Sequence, residues 1–411
     1  MKKVFISIFA LLLLLCNANA YEIDEDTSSS NILIVNLDNS QVIYSKGSNK
    51  KIYPASMSKI MSAIVLAENA NLDETITINE EDLKGLKEAD ASIIGFDVDE
   101  EVKVRDLLYA ILLPSGADAC NAASRITFNS NKEFVKQMNK KAKDIGMKST
   151  NFVNNTGLHD DNHYSTTYDI YLLMKYALEN KEVSKVLKKD KYVLTTNIRS
   201  YILKPSALAV ANKFNIDLSY YQAGKTGFTG EAGRCLVALY EHNDERYIIV
   251  SSNADEESYT SVIDHNVLSE NIINNYKYVN IYDKNHEFQN IDVKYSFTRN
   301  ISVNAKDKVS LVLPVDYDKN KLKVEYVGKT TLMAPLAKNT HIGSSVFSYD
   351  NKEIYRIEHY LDESIERSEI VYYYDITYKF LQDNKYVVVI VILALVLIGY
   401  VLIRRKKDIK I

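Results

Sequence analysis

The sequence predicts an α/β (α+β) body, an antiparallel sheet flanked by helices, followed by a small β-rich domain and a single C-terminal transmembrane helix. Three observations predict it. Short apolar runs with hairpin spacing stand at both ends of residues 21–279, with helical patterns between them. After about Asn280 those helical patterns give way to short alternating runs. One strongly apolar segment lies at each end of the 411-residue chain.

Residues 1–20 open with Lys2 and Lys3, continue through apolar Val4–Leu15 and end in Ala18-Asn19-Ala20. This is the order of a secretory signal peptide, with cleavage expected after Ala20. Cys16 does not make it a lipoprotein signal, because Leu15 before it is too large. Residues 21–30 form a polar, acidic leader. Asn31–Asn36 (NILIVN) reads as a strand, and Gln41–Ser45 as its partner across the turn residues Asp38-Asn39-Ser40. Pro54 sits where a helix can begin, and Ile60, Met61, Ile64 and Val65 follow helical spacing. Ser56 therefore falls at a helix N-terminus. Residues 99–128 read as two helices broken at Pro114-Ser115-Gly116, and residues 131–143 and 165–179 as two more. Arg234–Tyr240 and Tyr247–Ser252 read as adjacent buried strands, and residues 262–276 as a last helix.

In residues 280–365, four runs are rich in β-formers: 292–297, 308–313, 321–327 and 353–360. Residues 366–385 are Tyr-rich and read as a stalk. Tyr386–Ile403 carries no charge. At about 1.5 Å per residue it is roughly 27 Å long, enough to cross a bilayer core. Arg404, Arg405, Lys406 and Lys407 follow, which places residues 404–411 in the cytoplasm and the body of the protein outside the cell membrane.

Composition excludes several classes. Hydrophobic residues at 46% and charged residues at 25% are globular values. The formal net charge is −4, and without the signal (+2) and the tail (+4) the exported body is near −10. Such a body is a poor nucleic-acid binder. Cys120 and Cys235 are too few for a disulfide scaffold; they leave open one bridge or two buried thiols. His159 and His163 lie four apart in a loop without a third ligand at metal spacing, so neither a metal nor another cofactor is expected.

Three short sequences carry chemistry. In Ser56-Met57-Ser58-Lys59, a lysine three residues after a serine shares its helix face, so its amine can reach the hydroxyl. It acts as a base only if burial and a second cation lower its pKa. Ser115, at a helix break, can point into a cleft and relay a proton. In Lys225-Thr226-Gly227, Lys225 can supply the second cation, Thr226 a hydroxyl for a substrate carboxylate, and Gly227 room for close approach. Each sequence is common alone: the first as a helix cap, the last as an exposed turn. Their order and contexts match the S-x-x-K, central Ser and K-T-G set of penicillin-binding proteins and class A β-lactamases.

Residues from about 30 to 275 resemble the D-alanyl-D-alanine carboxypeptidases, the low-molecular-weight penicillin-binding proteins of the S11 serine peptidase family. PASMSKIMS (54–62), LLPSGADA (112–119), TNFVNNTGL (150–158), HYSTTYD (163–169) and GKTGFTGEAGRCL (224–236) carry the resemblance. It implies a penicilloyl-serine transferase fold and the removal of the terminal D-alanine from peptidoglycan stem peptides. In that case Ser56 is the nucleophile, Lys59 takes its proton, and Ser115 with Lys225 protonates the leaving group. Thr226 and Lys225 hold the terminal carboxylate, and the backbone N–H groups of Ser56 and Phe228 form the oxyanion hole. β-Lactams would acylate the same serine.

Two departures stand against the family pattern. Ala117 occupies the Asn position of the central motif, and residues 251–260 lack the Arg that many members use for the terminal carboxylate. They motivate an alternative, a catalytically weak or inactive penicillin-binding relative that binds wall peptides or partners. A β-lactamase would need a Glu-activated water, and no loop of that type is evident.

Overall fold

The computed structural model describes residues 21, 23 and 26–408. The expected signal peptide lies outside the described residues. The chain divides into two compact units. One takes the chain up to Val279 with Ser310–Lys321 and Tyr349–Ile354; the other takes the rest.

The first unit is built on a five-stranded antiparallel sheet. Its strands are β1 (Asn31–Asn36), β2 (Val42–Lys46), β3 (Tyr221–Thr229), β4 (Gly233–His242) and β5 (Glu245–Ala254), in the order β2-β1-β5-β4-β3. Both faces are covered. Leu33, Val35, Val237, Leu239, Ile248 and Val250 join the main core cluster, which the helices α1 (Lys59–Asn69), α2 (Val104–Leu112), α3 (Ala117–Phe128), α4 (Asn131–Asp144) and α5 (Thr167–Glu179) share. Ile32, Ile34, Leu236, Ala238, Tyr240 and Ile249 point the other way and are also buried. On that side α6 (Ser206–Phe214) packs beside β3, and α7 (Thr260–Asn275) covers β4 and β5. Two-sided burial explains why NILIVN and RCLVALY read as unbroken apolar runs instead of alternating ones.

β3 is the edge strand on the side of the Ser56 turn. The helix expected at Pro54 begins differently. Ala55–Ser58 is a 3₁₀ turn, with the Met57 N–H donating to the Pro54 carbonyl at 3.1 Å, and α1 starts at Lys59. Ser56 thus sits in the tight turn ahead of the helix. Residues Lys59 to Leu66 are all buried, so α1 runs through the middle of the unit.

In the second unit, strands 300–304, 287–294 and 331–333 form one three-stranded sheet, and 322–328, 341–349 and 352–360 form another. The segment read as a stalk is a helix, α8 (Glu369–Asp383), with the Arg299 guanidinium on Asp375 at 2.9 Å. α9 (Lys385–Asp408) follows, and within it Lys385–Ile403 is the one helix among the described residues long and apolar enough to cross a membrane.

Candidate active site

Ser56 and Lys59 meet as the i, i+3 spacing requires: the Lys59 Nζ donates to Ser56 Oγ at 2.9 Å. Lys59 is 2% exposed, at the start of a helix buried on every side. That burial pushes its pKa below the usual lysine value, and the nearby Cys120 and Asp118 only partly oppose it. A second acceptor fixes the amine. Lys59 Nζ also donates to the Thr156 carbonyl at 2.6 Å.

The loop supplying that carbonyl is shaped by Asn154, whose Oδ1 accepts from the N–H groups of Thr156 (3.2 Å) and Gly157 (2.7 Å). Ser62, one turn along α1 from Lys59, donates to the Asn155 carbonyl at 2.6 Å. Asn155 Nδ2 in turn donates to the Cys120 carbonyl (2.8 Å) and Ser124 Oγ (2.7 Å) on α3. Gly157 has φ +79°, and a Cβ there would stand 2.0 Å from the Ala55 carbonyl oxygen. Only a glycine lets this loop close against the serine turn.

Lys225 projects from β3 toward the main core and is 1% exposed. Burial, and then the charge of Lys59, hold its pKa well below the usual lysine value. It donates to the Thr226 carbonyl at 3.0 Å. Gly227 lies against the serine turn: a Cβ there would be 3.0 Å from the Pro54 carbonyl oxygen and 3.1 Å from the Ser56 nitrogen. Thr226 faces the opposite side of β3 and shares a 2.5 Å hydrogen bond with Ser206 Oγ at the start of α6. Phe228 is exposed.

Ser115 occupies the α2–α3 break with φ +76°; its Oγ is buried and has no hydrogen-bond partner among the described residues. Beside it, Asp118 accepts from the N–H groups of Ile94, Gly95 and Ala119, so it pins the preceding loop to the start of α3. Ala117 is fully buried. Cys120 and Cys235 are free, buried thiols.

His163 could pass for a catalytic base, since its Nε2 lies 2.7 Å from Ser58 Oγ. Its Nδ1 accepts from the Val153 N–H at 3.3 Å, so the proton sits on Nε2 and points at the hydroxyl. Burial lowers its pKa to about 4. It therefore orients Ser58 and does not activate it. Spacing gave no sign of Thr156, Asn155 or Ser206: the first contributes a backbone carbonyl, and the others act across distant segments.

The family model described as D-alanyl-D-alanine carboxypeptidase matches residues 17–256, well over half of the chain. That of the penicillin-binding protein 5 C-terminal domain matches residues 276–367. The Bacillus subtilis D-alanyl-D-alanine carboxypeptidase DacF is 29% identical over 329 residues, covering 78% of this chain and 81% of that protein. The Escherichia coli D-alanyl-D-alanine endopeptidase is 29% identical over 233 residues, covering 56% and 72%. Penicillin binding protein 5 of Haemophilus influenzae shares the fold, with a TM-score of 0.68 at 22% identity over 84% of this chain and 100% of that one.

Proposed function

Because the chain belongs to the D-alanyl-D-alanine carboxypeptidase family, we propose that it removes the terminal D-alanine from peptidoglycan pentapeptides through an acyl-enzyme on Ser56. The observation that carries this reading is the 2.9 Å contact between Ser56 Oγ and the buried Lys59 amine. In its neutral form Lys59 takes the Ser56 proton as Oγ attacks the carbonyl between the two D-alanines. The Thr156 carbonyl keeps the amine in place meanwhile. The N–H groups of Ser56 and Phe228 hold the developing oxyanion. Ser115, with Lys225, passes a proton to the departing amine. Thr226 and Lys225 meet the terminal carboxylate, and Gly227 lets the substrate backbone lie along β3. Water then hydrolyses the ester. β-Lactams acylate the same oxygen and inhibit the enzyme. α9 anchors the protein in the cell membrane, with the catalytic unit outside and the basic tail in the cytoplasm.

The full-length protein should release D-alanine from a pentapeptide. Intact-mass analysis should place a penicilloyl group on Ser56. Ser56→Ala should lose both, and retained release by that variant removes the reading. Ala117 supports a second reading, a penicillin-binding relative with little or no turnover, because its buried methyl offers no polar atom where an amide is expected. Penicilloyl labelling without D-alanine release would favour it.

A further inference from the structure

A carboxypeptidase must recognise a free terminal carboxylate, and the present inference rests on that reading of the site. Lys225 is a poor sole partner for that anion. It is buried beside another amine, and both press it toward the neutral form. Residues 251–260, where the family pattern would supply an arginine, contain none.

The strand next to β3 carries one. Arg234, on β4, pairs in register with Phe228 of β3. Paired residues project from the same face, so Arg234 shares a face with Phe228 and with Thr226, two residues earlier on β3. Its guanidinium lies over the Phe228 ring, with Cζ 3.6 Å from the centroid. Its Nε donates to the Glu256 carbonyl at 2.8 Å. The loop that lacks the arginine thus holds the side chain of this one. Ring and carbonyl fix the guanidinium at two points, while its two terminal nitrogens carry no hydrogen bond among the described residues. Thr226 and Phe228 are alternate residues of β3, about 7 Å apart along the strand. A carboxylate between them would accept from the Thr226 hydroxyl and from one or both terminal nitrogens.

We propose that Arg234 is the permanent cation that selects substrates with a free terminal carboxylate, in place of the arginine missing from residues 251–260. Arginine suits this role because a guanidinium keeps its charge, whereas burial lowers the pKa of both lysines. It acts on binding and takes no part in proton transfer.

The test compares a peptide ending in D-Ala-D-Ala with the same peptide amidated at its C-terminus, using the full chain in detergent. The wild type should prefer the acid. Arg234→Gln should raise KM for the acid roughly 10–100-fold, the range for a lost charge-assisted hydrogen bond, with kcat changed little. The acid/amide preference should close accordingly. Arg234→Lys, which keeps charge without the fork, should restore part of it. Lys204→Gln, removing an exposed cation just ahead of α6, should leave the preference intact. A wild type that cleaves acid and amide equally overturns the inference and leaves the carboxypeptidase reading standing. An Arg234→Gln protein that loses both substrates in parallel, or a preference abolished by Lys204→Gln instead, also overturns it. No turnover and no penicilloyl adduct in the wild type would mean that the underlying reading has failed.

Discussion

The two faces of β3 use cations in opposite ways. Toward the core, Lys225 and Lys59 are almost sealed from water, and burial drives both toward the neutral amine. Toward the opposite face, Phe228 is exposed and Arg234 is half-buried, with its guanidinium stacked on the ring. Alternation along a single strand separates the two environments by one residue. A base must be able to lose its charge, whereas a carboxylate receptor must keep it. On the proposed roles, β3 divides the two tasks: the base on α1 faces its dry side, and the receptor on β4 faces its hydrated side.

Replacing Lys59 by arginine breaks the inner half of this contrast most sharply. The guanidinium stays protonated, so it cannot take the Ser56 proton. The rate of acylation by benzylpenicillin should fall about 10³-fold or more, near the upper range for loss of a general base. Stopped-flow acylation would check this. A variant retaining a tenth of the wild-type rate would show that Lys59 is not the base. In the wild type the same rate should rise with pH as Lys59 loses its proton, with a midpoint below the ordinary lysine value.

Gly157 tests how tightly the inner side is closed. Its φ of +79° and the Ala55 carbonyl 2.0 Å from a would-be Cβ leave an alanine no room without moving backbone. Gly157→Ala should cost about 3 kcal/mol or more, from strain added to a steric clash. Denaturant unfolding would measure it. Acylation should slow as well, because the same loop presents the Thr156 carbonyl to Lys59.

Acid should reverse the inner environment. His163 is neutral in the fold, with its pKa lowered to about 4 from an ordinary 6.5, chiefly by burial. The unfolded chain binds a proton at this site below about pH 6.5, whereas the folded chain resists until about pH 4. Its contribution is therefore complete above pH 6.5 and is lost as pH falls toward 4. The loss is about 3 kcal/mol at the conversion of 1.36 kcal/mol per pKa unit. Unfolding free energies from pH 7 to pH 4 should show this slope. It should flatten in His163→Gln. An unchanged slope in that variant would assign the acid sensitivity elsewhere, for instance to His265, which burial also lowers, to about 3.

The sequence made some parts of this arrangement legible and hid others, for physical reasons. Ser56 and Lys59 were readable because a helical spacing of three is itself a contact. NILIVN and RCLVALY were readable as strands because burial on both faces leaves no polar residue to break the run. Ser115 and Lys225 enter only through motif order, since nothing local says how residues so far apart are placed in the fold. The Thr156 carbonyl was invisible, because any residue has one and only the Asn154 turn aims it. The half-exposed strand 276–282 and the largely buried strand 341–349 give no strand expectation, and the run 366–385 gives no helical one despite forming α8 over most of its length. Arg234 stood in plain sight within GKTGFTGEAGRCL, yet its register opposite Phe228 depends on where the hairpin turns.

The smallest expected effect belongs to the outer face and separates orientation from charge. Ser206 touches Thr226 through a 2.5 Å hydroxyl pair, and neither hydroxyl lies near the buried amines' side of the strand. If Ser206 merely points the Thr226 hydroxyl toward a carboxylate, Ser206→Ala removes one neutral hydrogen bond, worth about 1 kcal/mol. KM for a D-Ala-D-Ala peptide should then rise roughly five-fold, with kcat and the acid/amide preference unchanged. A fall in kcat instead would put Ser206 in the proton path and erase the division of labour between the two faces. A lost acid preference would shift charge recognition from Arg234 to the hydroxyl pair. An unchanged KM would mean that Thr226 is oriented by the strand alone.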